Sequence, residues 1–174
     1  MSTRSTIGIE IKKGEYKYIY CHSDGYLTYN GAMLVDHYKD REKLEKLIAL
    51  GDISLLERKV NPDPTRPHSF DYDLRQDDVV VAYGRDRGET NIDARVGSLE
   101  DMCQGWIEYA YVFTLDNKWK YVDTYWTKRE LKDVKKDVES EWIKQGLKHR
   151  PKNFYGFMGE QRLNEEKIKQ GVQV

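Results

Sequence analysis

The stretch Trp106–Trp126, "WIEYAYVFTLDNKWKYVDTYW", reads as two β-rich runs flanking Asp116-Asn117. Asn and Asp tolerate the left-handed backbone of a tight turn, so this is the clearest β-hairpin in the chain. A second hairpin opens the sequence. "RSTIGIEI" alternates in character and predicts a strand over about Ser5 to Ile11, "KKGE" supplies a turn at Gly14, and "YKYIYCH" returns. Side chains alternate across a strand, so Tyr16, Tyr18, Tyr20 and His22 share one face and Lys17, Ile19 and Cys21 the other.

Helices fill the space between the hairpins. "GAMLVDHY" reads as helical, and Asp40 caps a second helix, "REKLEKLIAL", with Leu44, Leu47 and Ile48 on one stripe. Glu42 and Lys46 form an i,i+4 pair, and Gly51 stands where a C-terminal glycine cap belongs. "DISLLE" reads as a short helical turn. "RKVNPDPTRPHSFDYDLRQ" holds three of the four prolines and predicts a long irregular connection. "DDVVVAY" is a buried strand, "ETNIDARVGS" is extended, and "SLEDMCQG" is a short helix capped by Ser98. Thr127 and Glu130 have capping-box spacing and predict a helix over about 128–145, with Leu131, Val134, Val138 and Trp142 as its stripe and Gly146 at its end. About five strands and three or four helices result. Hairpins of this kind imply an α+β fold: a mixed, mainly antiparallel sheet with helices packed on one face. The expected division is one domain over 1–146, with a polar, basic tail over 147–174.

The 174 residues suit a single domain. A net charge of −1 excludes a chain that is basic throughout, as a general nucleic-acid binder would be. From Lys144 onward, though, seven Lys/Arg face three Asp/Glu, a local +4 that leaves −5 in the first 143 residues. Tyrosine supplies 13 of the aromatics, and it serves cores and binding surfaces equally well. The two cysteines form no CxxC, and there is neither a secretory leader nor an apolar run of membrane-spanning length. The expectation is a cytoplasmic protein with reduced thiols and no membrane association.

Three constellations could carry chemistry. In "VVVAYGRDRGET" (Val79–Thr90), Gly84 and Gly88 permit unusual dihedrals, while Arg85 and Arg87 offer planar donors for phosphate or carboxylate. Asp86 and Glu89 either orient those arginines toward a ligand or tie them into a lattice that pins the loop. The glycine spacing fits neither a P-loop nor a dinucleotide fingerprint. In "YCHSDGYLTY", His22 and Asp24 have HxD spacing, with Tyr26 beside them as a further ligand contact. His37, His68 and His149 supply no matching third ligand, so no metal or other cofactor is expected. Arg4, Ser5 and Thr6 open the first strand with one cation and two hydroxyls. Nucleophilic catalysis finds little support: Cys21 and His22 are strand neighbours facing opposite sides, and there is no GxSxG.

Together "MSTRSTIG", "IYCHSDGY", "NGAMLVDHY", "LIALGDISLL" and "YGRDRGET" resemble a group of small proteins common in phages and prophages, over roughly residues 1–125. In that group the residue after His is often Trp; here it is Ser23. The resemblance implies a viral accessory protein of the host cytosol and no particular activity; phage accessory proteins of this size often counter host defences, so a counter-defence role is the expectation. Three mechanisms fit one: sequestering an anionic, nucleotide-type ligand, inhibiting a host defence protein directly in the manner of an anti-CRISPR, or hydrolysing a nucleotide signal with His22 or Glu89 as base. The first is the leading expectation, with Arg4, Thr6, His22, Asp24, Tyr26, Arg85, Asp86, Arg87 and Glu89 as contacts. A homo-oligomer is compatible with the sequence. The direct inhibitor would use "NFYGFMG" (153–159) and the basic tail.

Overall fold

The computed structural model describes residues 2–155 and 159–174. The two hairpins form as expected. Strands β1 (Ser5–Lys12) and β2 (Glu15–Cys21) pair antiparallel, as do β6 (Tyr109–Phe113) and β7 (Trp119–Asp123). Asn117 takes the left-handed turn position with φ 60°. The hairpins join through parallel pairing of β1 with β6, Ser5 opposite Tyr109 through Ile9 opposite Phe113.

Four short strands extend this core: β3 (Ile53–Leu55), β4 (Val81–Ala82), β5 (Arg95–Gly97) and β8 (Lys132–Asp133). The sheet is therefore eight-stranded, in the order β4-β3-β2-β1-β6-β7-β8, with β5 also on β2. Five strands were expected; the additional ones are two or three residues long, and pairing rather than sequence pattern creates them. "DISLLE" is among these corrections. It is β3 and not a helical turn, because Ile53 pairs in parallel with Cys21 and its side chain enters the core.

One face of the sheet carries Ile7, Ile9, Ile19, Cys21, Tyr111 and Phe113. It is covered by α1 (Ala32–His37), α2 (Arg41–Ala49) and α5 (Val134–Lys144), through residues that include Met33, Leu34, Leu44, Leu47 and Trp142. Fully burying one such side chain contributes about 1.5–3 kcal/mol. The opposite face carries a smaller cluster: Tyr16, Tyr18, Ala110, Val112 and Val122 under Met102 and Cys103. Met102 ends α4 (Leu99–Met102), which Ser98 and Asp101 cap reciprocally. Helices thus lie on both faces, unequally. Gly8 makes the close approach possible: a Cβ there would stand 2.8 Å from the Met102 methyl.

Helix α5 also begins later than its sequence spacing implies. Thr127 and Glu130 form no cap; Asp133 caps α5 instead, accepting from the Lys136 N–H at 2.9 Å. Lys132 and Asp133 pair with Tyr121 and Lys120 on β7, and this sheet-edge pairing takes the residues that would form an earlier helical turn. Beyond it, the region expected as a tail contains α6 (Glu160–Lys169), and Phe154, Tyr155 and Leu163 pack against the main core. Residues 156–158 of "NFYGFMG" lie outside the described residues.

The proline-rich connection is ordered around the buried Gln76 side chain. Its Nε2 donates to the carbonyls of Asp63, Arg66 and Pro67 at 2.9–3.2 Å, and its Oε1 accepts from the Asp63 N–H at 2.8 Å. A buried amide satisfied by backbone groups fixes a loop that has almost no ladder of its own.

Gly51 and Gly88 both end helical segments with φ above 70°, but their surroundings differ. A Cβ on Gly51 would fall 2.2 Å from the Ile92 carbonyl oxygen, whereas one on Gly88 meets nothing within 4 Å. Gly88→Ala should cost about 1 kcal/mol, the left-handed penalty alone. Gly51→Ala should cost about 2–3 kcal/mol, since strained dihedrals and a backbone clash add. Urea midpoints of the two variants check the difference.

Candidate ligand-binding site

The β2 tyrosine face is covered at one end by α4 and open at the other. Thr6 is the cross-strand partner of Tyr20 and Ser5 that of Cys21, with Arg4 one residue before the strand. The Tyr20 hydroxyl and His22 Nδ1 are 2.8 Å apart. Burial raises the Tyr20 pKa, and the nearby Arg4 guanidinium works against that rise. Arg4 has no carboxylate partner among the described residues. Next to this row lies a shallow cavity of about 230 Å³, lined in part by Thr6, Tyr18, Tyr20, Asp52, Arg95 and Gln104.

Asp52 organises the cavity wall. One carboxylate oxygen accepts from the Tyr20 backbone N–H at 2.8 Å, and the pair of oxygens accepts from Arg95 at 2.8 and 3.3 Å. Arg95 in turn lies 5.4 Å from the Tyr18 ring centre. Thr6 is committed elsewhere: its hydroxyl donates to the Met102 carbonyl at 2.9 Å and anchors α4.

The Arg/Asp stretch forms a helical turn, α3 (Tyr83–Arg87), closed by Gly88. Its four charged residues divide into two pairs. Arg85 points inward, donating to the carbonyls of Val60 and Val80 at 2.6 Å and to Asp86 at 2.8 Å. Asp86 also accepts from the Ala82 N–H at 2.7 Å, and its carboxylate lies 3.3 Å from His68 Nε2. Both the Asp86 and His68 side chains are 3% exposed. The His68 Nδ1 accepts from the Gln76 N–H at 3.0 Å, which leaves the ring proton on Nε2 for Asp86. Burial pushes the Asp86 carboxyl up, but Arg85, the Ala82 N–H and His68 together outweigh it and hold it below its ordinary range. Arg85 and Asp86 thus bind the proline-rich loop to α3.

Arg87 and Glu89 form an exposed ion pair instead. Arg87 sits 4.1 Å from the Phe70 ring centre and 5.1 Å from that of Tyr83. The Tyr83 N–H donates to the Asp52 carbonyl at 3.2 Å while the Asp52 carboxylate accepts from the Tyr20 N–H, so the Arg87 edge adjoins the Tyr20 face.

Asp24 and Tyr26 lie in a different cluster. Asp24 adopts φ 54° and its carbonyl accepts from the Asn30 N–H at 3.2 Å. Burial raises its carboxyl, and its charge acts on Tyr29 and Glu57. Tyr26 packs edge-on against Tyr29 at 6.3 Å. The loop is tied down by Tyr111, whose hydroxyl donates to the Gly25 carbonyl at 2.6 Å, and by Gly25, whose N–H donates to Thr3. His22 turns to Tyr20, and no hydrogen bond or ion pair joins it to Asp24 among the described residues, so the HxD pair does not converge. Among the described residues no group of three or more His, Cys, Asp or Glu is placed to hold a metal ion.

The nine expected contacts therefore separate. Arg4, Thr6 and His22 share the tyrosine face; Arg87 and Glu89 border it; Arg85, partly exposed, and the buried Asp86 carboxylate are tied into a loop lock; Asp24 and Tyr26 belong elsewhere. Asp52, Arg95, Tyr83 and Phe70 join the face only through strand pairing and loop packing, and no sequence spacing announces them.

Replacing Arg85 with Ala should cost about 2–3 kcal/mol, because two buried carbonyls and a carboxylate lose their charged donor. Arg87→Ala should cost under about 1 kcal/mol, the scale of an exposed cation–π contact. Thermal unfolding of both variants separates the two roles. The stability that Asp86 adds is complete above the ordinary carboxyl value of 3.8 and is lost as pH falls through its lower folded value. The gap between the protein and Asp86→Asn should therefore close in acid. Burial pushes both thiols, Cys21 and Cys103, up to about 11. Iodoacetamide at pH 8 should leave both unmodified until the chain is unfolded, as mass spectrometry will show.

Set against protein-family models, curated proteins and solved structures, the chain matches none of them.

Proposed function

We propose that the protein is a non-catalytic binder that sequesters a phosphate-bearing, ring-containing anion of nucleotide type on its open tyrosine face. The observation that carries this is Arg4, a cation without a carboxylate partner among the described residues, set near Tyr20, whose hydroxyl meets His22. Guanidinium groups match phosphate in charge and planar geometry, and tyrosine rings offer faces to a base. Arg95 and Arg87 flank the face, each over aromatic rings, and extend it to a ligand with more than one charged group. Arg4, His22 and Arg87 are the proposed contacts; Arg85 and Asp86 support the loop behind them. A phage accessory protein that captures a nucleotide signal of host defence is a role of this chemistry.

The Tyr20–His22 contact favours a second reading. With Nδ1 facing Tyr20, the half-exposed imidazole can present Nε2 to a ligand as a base, which is the geometry a hydrolase needs.

Incubation with a panel of cyclic nucleotides and ADP-ribose-type nucleotides, followed by filtration, heating of the retained fraction and chromatography, tests both. A nucleotide that is retained and returns intact on heating supports sequestration. Conversion to product, lost in His22→Ala, supports the hydrolase. The double variant Arg4→Ala, Arg87→Ala should lose retention while keeping the unfolding temperature within a few degrees. Retention unchanged in that variant places the ligand elsewhere.

A further inference from the structure

A second depression lies on the opposite sheet face and at the opposite strand end from Arg4. It is a half-open groove of about 670 Å³, within the range that holds a sizeable ligand. Its floor is a narrow apolar strip, the edges of Val35 and Trp119 at 9% and 7% exposure over the buried Phe113. Its rim is cationic, with Lys39 from the turn after α1, Lys118 from the β6–β7 turn and Lys135 from α5. All three lysines are exposed.

The acidic groups of the groove are already engaged. Asp36 accepts from Arg150 at 2.5 and 3.1 Å and from the Tyr155 hydroxyl at 3.2 Å. Asp133 caps α5 and bonds to Lys120 at 3.4 Å. Lys39 and Lys135 have no carboxylate partner among the described residues, and Lys118 has only exposed Asp116 at 3.6 Å. An apolar floor ringed by three exposed ammonium groups, two of them without a carboxylate partner among the described residues, is complementary to an anion with an apolar body.

We propose that this groove docks a linear acidic peptide segment of a partner protein, carrying an apolar anchor side chain. Two observations favour peptide over nucleic acid. The floor rings are not free for stacking: Phe113 and Trp119 pack on each other at 5.1 Å, Arg41 covers Phe113 at 5.4 Å, and the Trp119 indole donates to the Tyr38 carbonyl at 2.9 Å. They offer apolar contact only. The exposed rim cations are also all lysine, compact and hydrated, and they come from three separate elements. That arrangement suits carboxylates spaced along a chain better than a bidentate phosphate clamp. This surface is independent of the tyrosine face.

The test uses the full chain and two fluorescein-labelled probes: the peptide Glu-Asp-Glu-Leu-Phe-Asp-Glu-Asp and an oligothymidylate of equal charge. A third peptide replaces Leu-Phe with Gly-Ser. Fluorescence polarisation should show saturable binding of the first peptide and markedly weaker binding of the other two. The triple variant Lys39→Ala, Lys118→Ala, Lys135→Ala should bind the first peptide about tenfold more weakly or worse, with unchanged unfolding temperature. Absence of binding, equal binding of the Gly-Ser peptide, tighter binding of the oligonucleotide, or full affinity in the triple variant each overturns the proposal.

Discussion

The parallel pairing of β1 with β6 is the constraint on which the rest of the structure depends. Each hairpin alone is a marginal two-stranded ribbon. Laid side by side, the two make a four-stranded centre broad enough to bury a core on both faces. Parallel neighbours cannot be joined by a tight turn, so after the β1–β2 hairpin the chain between Cys21 and Tyr109 must cross over to the other side of β1. That excursion supplies α1 and α2 for one face, α4 for the other, and the strands that lengthen the edge beyond β2. The unequal coverage follows: three helices seal the larger face, whereas the four residues of α4 seal only part of the smaller one. The open remainder is where Arg4, Tyr20 and His22 stand.

The parts of this design legible in the sequence are those written in local pattern. The two hairpins, the Asp40 and Ser98 caps, the Leu44–Leu47–Ile48 stripe and the left-handed Asn117 all rest on neighbours within a few residues. What was not legible depends on partners far along the chain. Ile53–Leu55 has no strand pattern of its own and becomes β3 because Cys21 and Ala82 flank it. Thr127 and Glu130 have the right spacing for a cap, yet β7 claims the residues after them. Local preference loses wherever a sheet edge offers hydrogen bonds.

The candidate site shows the same division. Reading "GRDRGE" as four exposed charges makes them equivalent, but helical geometry turns consecutive residues by about 100° and so sends Arg85 and Arg87 in different directions. One reaches carbonyls 25 and 5 residues away, while the other rests on Phe70 and Tyr83. The two readings weighed for this stretch, clamp and lattice, are thereby divided between its residues. Arg85 and Asp86 have the geometry of the lattice, and Arg87 keeps the exposure that a clamp requires. His68 and Gln76, unremarkable in sequence, complete the lock because the proline-rich loop folds back on α3.

Asp52 has a wider consequence. β3 and β5 share one edge of β2 without meeting, and the Tyr20 N–H falls in the gap between them, where a carboxylate stands in for a missing strand. The same carboxylate neutralises Arg95. An incoming anion that recruits Arg95 must therefore compete with Asp52, and winning leaves a negative charge bound to the backbone beneath it. Under the proposed ligand-binding role, that competition would favour a multiply charged anion, which has the other cations of the face to gain.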